Sequence, residues 1–454
     1  MAASTRMDFT EGSIMRKMIL FSWPIFLGNV LQSSYQIVDS LWVGNLLGAQ
    51  ALGAVTLSST VIFTILSFII GINSATLTIL SQRIGAGDNE GLKRSLNAFV
   101  TVLGILAVGL GVVGFFMSPY ILQLMGTPES IMPMASTYLR INFIGILFLF
   151  GYNFIGTVLR SLGDSKTPLR FIMLAVALNI VLDPLFIHVF DLGISGAAYA
   201  TVISQGIAFL FGLIYSIVKK GVPFSIPYIP AIEECRRIVT IGLPSGFSMV
   251  AISGGVLAVM TVVNSFGETA VSGFGAAQRL DSVIMLPSLT LGSAITSIAG
   301  QNIGADRWDR IKEIAKSGLI LIFSVSLVIS TIVFIMAEFL MGLFVSDPGT
   351  IEFGAQYLRI VAFCYPFLGI NFVLNGIVRA SGAVMQVLAL NIISFWLLRF
   401  PLAWLFSSMY GEIGIGMGIG LSFLISSLFA AGYYKFGKWN KIDIFKEEKE
   451  ASAK

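Results

Sequence analysis

The chain contains one long sequence pattern twice. Tyr138-Leu139-Arg140-Ile141 returns 219 positions later as Tyr357-Leu358-Arg359-Ile360. The same offset relates a further set of residues: Gln82 to Gln301, Ile84-Gly85-Ala86 to Ile303-Gly304-Ala305, Lys93 to Lys312, Arg160 to Arg379, and Gly163 to Gly382. One unbroken offset over so much of the chain predicts two large halves that share one fold.

The composition indicates a protein that spans a membrane several times. Charged residues make up 11% of the chain and hydrophobic residues 56%, whereas a soluble domain carries roughly 25% charged residues. The intervals Ser40–Gln82 and Ser95–Pro128 contain no Lys, Arg, Asp or Glu. Backbone in lipid must satisfy its own hydrogen bonds, so segments of this length predict helices.

Twelve membrane helices are predicted. Their ranges are 18–38, 51–80, 95–117, 135–158, 168–190, 193–218, 238–262, 270–300, 316–338, 356–378, 384–408 and 413–435. We expect no cleaved signal peptide, because the N-terminus has no short apolar run with a small-residue cleavage site. The two cysteines, Cys235 and Cys364, are too few for a disulfide framework.

The basic residues predict the orientation of these helices. Lys and Arg occur in the N-terminal arm, in alternate connections and in the tail from Lys435, while the other connections contain neither. Under the positive-inside rule both termini are cytoplasmic. We therefore expect a multi-pass protein of the cell membrane, and the net charge of +4 reflects basic loops rather than nucleic-acid binding.

The repeat predicts the domain organisation. The fourth predicted helix recurs six helices later, so both halves cross the membrane in the same sense and we expect a pseudo-two-fold axis along the membrane normal. The predicted parts are an N-terminal six-helix lobe (1–218), a linker (219–237) containing Pro223, Pro227 and Pro230, a C-terminal lobe (238–435) and a tail (436–454). Many secondary transporters consist of two such halves.

A carboxylate within a membrane helix is costly and therefore a functional candidate. Asp39 lies near the end of the first predicted helix. A polar stripe at three- and four-residue steps leads to it, consisting of Asn29, Gln32, Ser33, Gln36, Asp39 and Ser40. Such a stripe indicates a helix face turned to protein or to a water-filled cavity. The alternative is a hydrogen-bonded structural Asp at the membrane surface.

A second acid, Asp183, lies in the fifth predicted helix. Asn179 precedes it by four residues and shares its face, and Pro184 follows it and removes a backbone donor. Thr201, Ser204 and Gln205 on the sixth helix are neutral partners. The alternative role for Asp183 is to cap a broken helix.

Both acids lie in the first half only. At the 219-residue offset Asp39 falls on Ala258, and the counterpart of Asp183 lies in the apolar run around Phe395. A structural role would more naturally be shared by both halves, so the asymmetry favours a coupling site.

Other charged residues inside predicted helices have no assigned role. Arg279 and Asp281 are two residues apart and so do not face each other. Arg399 is mid-helix, and all three are compatible with snorkelling or structural pairing. The single histidine, His188, cannot build a metal site alone, and an interfacial role and a proton-relay role both stay open.

Taken in order, these motifs resemble the multidrug and toxic compound extrusion family, MATE, over essentially the whole chain. The features that carry the resemblance are Pro24 with Asp39, Gln82–Ala86, Leu159–Asp164, Leu178–Pro184, Gly193–Thr201, Gly242-Leu243-Pro244 and the repeated Gly304-Ala305. Because the acids that another branch carries on its seventh and tenth helices are missing, the chain looks closer to the bacterial damage-inducible branch.

The resemblance implies an antiporter that exports organic, often cationic, amphiphiles in exchange for inward H⁺. It implies a cation-coupling cluster of Asp39, Asn179, Asp183 and Thr201. We expect substrate to contact Gln32, Gln36, Asp39, Met173, Val176 and Ala177, and the helices to bend at Pro24 and Pro184. Protonation of the acids would release the cationic substrate. We expect no resident cofactor or metal, contact with membrane lipids, no nucleic-acid partner, and a monomer.

Three alternatives remain beside this interpretation. Na⁺ coupling at the same four residues is the nearest, since all four offer hard oxygen ligands. A lipid or polysaccharide flippase would carry several buried cations, and here the candidates are Arg140, Arg279, Arg359 and Arg399. A membrane enzyme would need a nucleophile–base pair or metal motif, and the chain has one His and no HExxH. We therefore expect no enzymatic activity.

Overall fold

The computed structural model describes residues 6–225, 227–446 and 448, and the regular elements in these ranges are helices. We number the long helices by the membrane spans that they form. In the first half these are α1 Ile14–Leu47, α2 Ala49–Gly85, α3 Asn89–Leu124, α4 Met132–Ile144 with Ile146–Ser161, α5 Lys166–Val189 and α6 Gly193–Val218. In the second half they are α7 Ile232–Asn264, α8 Glu268–Gly304, α9 Trp308–Gly342, α10 Pro348–Ala362 with Tyr365–Ala380, α11 Val384–Tyr410 and α12 Ile413–Phe436.

The all-helical fold with its membrane spans is confirmed. Among the described residues ten helices are long and apolar enough to cross a membrane, and the number rises to twelve when each of two bent pairs forms one span. The pairs are α4, bent by 50°, and α10, bent by 51°. These are corresponding helices of the two halves, so the repeat in sequence is also a repeat in helix shape.

The helices extend further than their apolar segments. α3 begins at Asn89, where the Asp88 carboxylate accepts a hydrogen bond from the Gly91 backbone N–H at 2.8 Å. α7 begins at Ile232, inside the predicted linker. An apolar window detects the lipid-facing part of a helix, whereas capping satisfies backbone donors beyond it and lets the helix continue into polar sequence.

The chain divides into two compact units. Unit 1 contains the described residues through Asp8 together with Trp23–Gly242, and unit 2 contains Phe9–Ser22 and the described chain from Leu243. The predicted lobe boundaries at 218 and 238, and the predicted symmetry axis, stay predictions. Of the predicted tail, residues 447 and 449–454 lie outside the described part.

Each unit has its own apolar core. In unit 1 a buried cluster joins α1, α2, α4, α5 and α6; it consists of Val43, Ala51, Val55, Tyr138, Ile141, Ile187, Ala197 and Ala198. In unit 2 a larger cluster includes Phe274 on α8, Tyr357 on α10 and Phe423 on α12. These cores hold the helices in place beside the buried polar groups described next.

Two π-helical segments interrupt corresponding helices. In α5 the segment Leu185–Val189 follows Pro184, and in α11 the segment Ile393–Arg399 precedes Pro401. Proline lacks a backbone N–H, so the regular hydrogen-bond ladder of the helix changes there. Such segments are frequent at functional sites, and both lie next to buried charged side chains.

Candidate cation site and a second buried cluster

A group of polar side chains from three helices meets inside unit 1. Asp39 comes from α1, Asn179 and Asp183 from α5, and Thr201 and Ser204 from α6. All are buried, and Asp183 has no exposed surface. The structure therefore brings together the four residues expected to couple cations, whose role in coupling remains a prediction.

Helical spacing places the α5 pair. Asn179 and Asp183 are one turn apart, and the Asn179 amide donates a hydrogen bond to Asp183 Oδ1 at 3.2 Å. Pro184 then ends the α-helical part, and the π-helical segment begins at Leu185.

α1 is one uninterrupted helix that contains Pro24. Its part from Trp23 to Leu47, which carries Asp39, lies in unit 1.

Asp39 and Asp183 face each other across the gap between α1 and α5. Their carboxyl groups lie within hydrogen-bonding range. Among the described residues no donor reaches Asp39 Oδ1 or Asp183 Oδ2. Two ionised carboxylates at this distance repel strongly in a buried setting. A proton or a metal cation between them would remove the repulsion.

The site presents several buried oxygens without a hydrogen-bond partner among the described residues. They are Asp39 Oδ1, Asn179 Oδ1, Asp183 Oδ2, Thr201 Oγ1 and Ser204 Oγ. Buried polar atoms without partners are costly and are a sign of an absent ion or water. All of these atoms are hard oxygen ligands, so the chemistry of the site suits a proton or Na⁺.

Tyrosines form a shell around the acids. The Tyr35 side chain lies beside Thr201, although the Thr201 hydroxyl forms no well-aligned hydrogen bond. Tyr138 is buried and close enough to interact electrostatically with Asp39 and Asp183. Sequence reasoning missed Tyr35 and Tyr138. The available signals were the four-residue step from Tyr35 to Asp39 and the place of Tyr138 in the repeated motif.

A small cavity adjoins the site. Gln32, Val176, Asn179 and Thr201 are among its lining residues. Its volume of about 20 Å³ holds roughly one water molecule or ion. An amphiphilic drug needs several hundred Å³, so a cavity of this size suits an ion or a water molecule and not such a drug.

The remaining predicted substrate residues lie elsewhere. Gln36, Met173 and Ala177 are exposed, and Met173 has 53% of its surface accessible. The structure thus places Gln32 and Val176 in the lining of the cavity, together with Asn179 and Thr201, and does not place the other three there. Their contact with substrate stays a prediction.

Two glycines allow the helices to approach closely. A Cβ atom at Gly28 on α1 would lie 2.7 Å from Ile172 on α5, and one at Gly196 on α6 would lie 2.7 Å from the Phe186 carbonyl group. Real side chains do not tolerate such distances. α6 therefore packs directly on the π-helical segment of α5, which brings Thr201 to Asp183.

A second buried charged cluster lies in unit 2. The Asp281 carboxylate on α8 accepts hydrogen bonds from the hydroxyls of Tyr357, at 2.9 Å, and Tyr365, and from the Gln278 amide at 3.4 Å. Arg279 is exposed while Asp281 is buried, so the two residues indeed lie on different faces of α8.

Arg399 on α11 belongs to the same cluster. The central carbon of its guanidinium lies over two rings, 4.1 Å from the centre of Phe395 and 4.7 Å from that of Phe423. Only 7% of its surface is exposed. The aromatic pair was visible in the sequence as part of an apolar run, but its enclosure of an arginine was not.

The described residues contain no group of three or more His, Cys, Asp or Glu side chains arranged for a metal ion. His188 is exposed at the end of the π-helical segment of α5. Cys235 and Cys364 are free thiols.

Comparison with known proteins gives a consistent result. The family model described as MatE matches residues 24–185 and 244–405. A protein of Bacillus subtilis named probable multidrug resistance protein YpnP is 57% identical over 97% of this chain and 99% of its own. A second B. subtilis protein, YoeA, with the same description, is 32% identical over 96% of each chain. A Shewanella oneidensis protein named FAD transporter is 27% identical over 94% of this chain and 96% of its own.

Solved structures show the same fold. A mutant of the Vibrio cholerae MATE transporter VcmN superposes with a TM-score of 0.89 at 23% identity, over 93% of this chain and 96% of that one. A MATE transporter crystallised with the compound MaL6 superposes with a TM-score of 0.88 at 24% identity, over 97% and 98%.

Proposed function

Because the chain belongs to the MatE family, we propose that this multidrug efflux transporter is an antiporter that exchanges inward H⁺ for outward organic, often cationic, amphiphiles. It is a membrane transporter of small molecules and not an enzyme.

One observation carries the choice of coupling site. Asp39 and Asp183 lie within hydrogen-bonding range, and each has an oxygen that no described donor reaches. A shared proton supplies the missing donor and removes one negative charge. Coupled carboxylates of this kind exchange protons as a pair rather than as independent groups.

The proposed cycle uses this pair as both proton carrier and substrate counter-ion. In the deprotonated state the two carboxylates attract a cationic amphiphile near Gln32 and Val176. Proton uptake from outside cancels that attraction and lets α1 pack against α5 and α6, with Pro24 and Pro184 as the places where helix geometry changes. The substrate then leaves, and the proton is released to the cytoplasm. The ion-sized cavity matches the packed, substrate-free stage.

The energetics limit the stoichiometry. Exchange of one proton for one monovalent cation moves no net charge, so only the pH difference drives export, at about 1.4 kcal/mol per pH unit. Two carboxylates also permit two protons per cation. The membrane potential would then add about 2.3 kcal/mol per 100 mV.

We further propose that both termini and the basic connections face the cytoplasm, on the positive-inside argument, and that the protein acts as a monomer in the cell membrane. All four residues of the candidate site come from unit 1 of one chain, which supports a monomer as the working unit.

The test is dye efflux from proteoliposomes under separately imposed gradients of pH and Na⁺. We expect the pH gradient alone to drive ethidium export, and Asp39→Asn to abolish it because the pair loses its exchangeable proton. Glu129→Gln, which changes an exposed acid in a connection, is the matched control and should leave export intact.

The second candidate is Na⁺ coupling. It is favoured by the cluster of unpartnered oxygens, since Asp39, Asn179, Asp183, Thr201 and Ser204 would all be suitable ligands. In that case a Na⁺ gradient would drive efflux without a pH gradient, and Thr201→Val would weaken Na⁺ dependence. Unimpaired efflux in Asp39→Asn under both gradients would remove the site from either mechanism.

A further inference from the structure

Arg399 is a buried cation that contacts no counter-ion among the described residues. It forms no salt bridge and donates no hydrogen bond within that part of the chain, and its Nε atom is enclosed without an acceptor. A desolvated contact between a cation and an aromatic ring is worth about 2 kcal/mol or more, whereas burying an ion costs several kcal/mol. A guanidinium in this setting is expensive unless an anion binds it for part of its working cycle.

The nearest carboxylate is already satisfied. Asp281 interacts with Arg399 electrostatically, but its oxygens accept hydrogen bonds from Tyr357, Tyr365 and Gln278. These neutral donors hold Asp281 where it does not contact the guanidinium. Arg399 therefore interacts with Asp281 electrostatically but forms no direct ion pair with it.

The two rings also determine how an anion can approach. The central carbon of the guanidinium lies over the rings of both Phe395 and Phe423, so a ligand can approach only from the sides that the two rings leave open. Nε is enclosed, which leaves the two terminal nitrogens as donors. Two parallel N–H groups along one edge match the paired oxygens of a carboxylate or a phosphate.

Arg399 lies in the helix of unit 2 that corresponds to the helix carrying Asp183 in unit 1. The family match ends at residue 185 in the first half and at 405 in the second, so the ends of α5 and α11 correspond. Asp183 precedes the π-helical segment of α5, and Arg399 ends that of α11. The two corresponding helices therefore carry buried side chains of opposite charge near their π-helical segments, although the positions are not equivalent: at the 219-residue offset Arg399 falls on Ile180.

We infer that Arg399 forms an anion-binding subsite in unit 2 that takes the carboxylate or phosphate group of an amphiphilic ligand. The inference rests on the proposed function only in naming the transported amphiphile as the source of that group. A phospholipid headgroup offers the same chemistry, and the experiment below separates the two sources.

The experiment uses two dyes that differ by one anionic group. Tetramethylrhodamine has a free carboxylate, and its methyl ester does not. Binding of each to the purified protein in phosphatidylcholine nanodiscs is followed by fluorescence anisotropy. The wild type should bind the acid more tightly than the ester. Arg399→Gln should weaken binding of the acid about tenfold or more, the loss of one charge-assisted contact, and leave the ester unchanged.

Two variants complete the design. Arg399→Lys keeps the charge but loses the planar fork, so the acid should bind with intermediate affinity. Arg279→Gln removes an exposed arginine of the same unit and should change neither dye. Retained ester binding shows that each variant is folded.

The inference is overturned if Arg399→Gln weakens both dyes equally or neither. Equal affinity of the wild type for acid and ester overturns it as well, without any variant. Adding phosphatidylglycerol to the nanodiscs identifies the source of the anionic group. If the lipid weakens binding of the acid dye to the wild type but not to Arg399→Gln, the subsite binds the lipid phosphate. If the lipid does not weaken binding of the acid dye, the subsite binds the amphiphile. Failure of pH-driven efflux would leave these binding differences standing, so the two proposals fail separately.

Discussion

The carboxyl groups of Asp39 on α1 and Asp183 on α5 lie within hydrogen-bonding range of each other. In the same place, Asn179 donates to one oxygen of Asp183 and leaves the other without a donor among the described residues. Any event that protonates one acid therefore changes the environment of the other. This coupling between two helices leads to the first prediction.

Asp39→Asn and Asp183→Asn should be non-additive. Each single substitution should lower pH-driven dye efflux at least about tenfold, and the double variant should be no worse, because groups that act as one unit lose their function together. Efflux rates from proteoliposomes provide the measurement. If the fold-reduction of the efflux rate in the double variant equals the product of the two single fold-reductions, the acids act independently.

Glu234 should be essential for the stability of unit 1. Its carboxylate contacts Arg83 at 3.0 Å and Arg237 at 2.9 Å and accepts from Ser95 at 3.0 Å, all buried. Glu234→Gln removes the carboxylate that two buried guanidinium groups share. Because Arg83 keeps its second ion pair, with Asp88, we expect a loss of about 3 kcal/mol, the lower end of the range for breaking a buried pair. Thermal unfolding in detergent, followed by tryptophan fluorescence, measures it.

The control for Glu234 is Glu90→Gln. Glu90 pairs with Lys93 at 2.8 Å on an exposed surface, where an ion pair is worth about 1 kcal/mol or less. Similar melting temperatures for the two variants would contradict the importance of the buried network.

Gly196→Ala should destabilise the contact between α5 and α6. The new Cβ would lie 2.7 Å from the Phe186 carbonyl, and overpacking of this kind costs about 1–3 kcal/mol. Gly104→Ala on α3 is the matched change, since a Cβ there meets nothing within 4 Å. It should be neutral or gain up to about 1 kcal/mol from helix propensity. Equal melting temperatures would show that α6 can shift at no cost.

Asp347, in the connection before α10, should stabilise the protein in a pH-dependent way. Its carboxylate accepts from the Thr350 hydroxyl at 2.7 Å and the Thr350 backbone N–H at 2.8 Å. These hydrogen bonds hold the pKa of Asp347 below its ordinary value. Because the pKa is lower in the folded state, the stabilisation by ionised Asp347 is complete above the pKa of the unfolded state, about 3.9. It is lost as the pH falls through the pKa of the folded state.

The measurement compares the melting temperatures of wild type and Asp347→Ala across the acid range. The wild type should melt at a higher temperature than the variant at neutral pH. The difference between the two melting temperatures should shrink below about pH 4, where Asp347 becomes protonated first in the unfolded and then in the folded protein. Glu352→Gln, which changes an exposed acid of α10, should show no such trend. A gap that widens on acidification would reverse the assigned sign.

Several features of the site were accessible from sequence because they follow helical spacing. The polar stripe of α1 predicted that Asp39 faces protein or a water-filled cavity, and Asp39 is buried. The four-residue step predicted that Asn179 and Asp183 share a helix face, and the two side chains form a hydrogen bond. The enclosure of Asp281 by Tyr357 and Tyr365 was not accessible, since those residues come from a different helix. Likewise, the sequence could not show that Val176 lines the cavity while Met173 and Ala177 do not.

By itself the sequence determined the class of protein, the number of spans, the two related halves and the family, because hydrophobic length, charge placement and a repeated pattern are properties of consecutive residues. Tertiary structure decided which side chains meet. Contacts between α1 and α5, or between α8, α10 and α11, depend on how closely helices approach and how they rotate, and one glycine such as Gly196 or one π-helical turn after Pro184 changes both. The proximity of Asp39 to Asp183 and the contacts of Arg399 with two aromatic rings are therefore outcomes of packing.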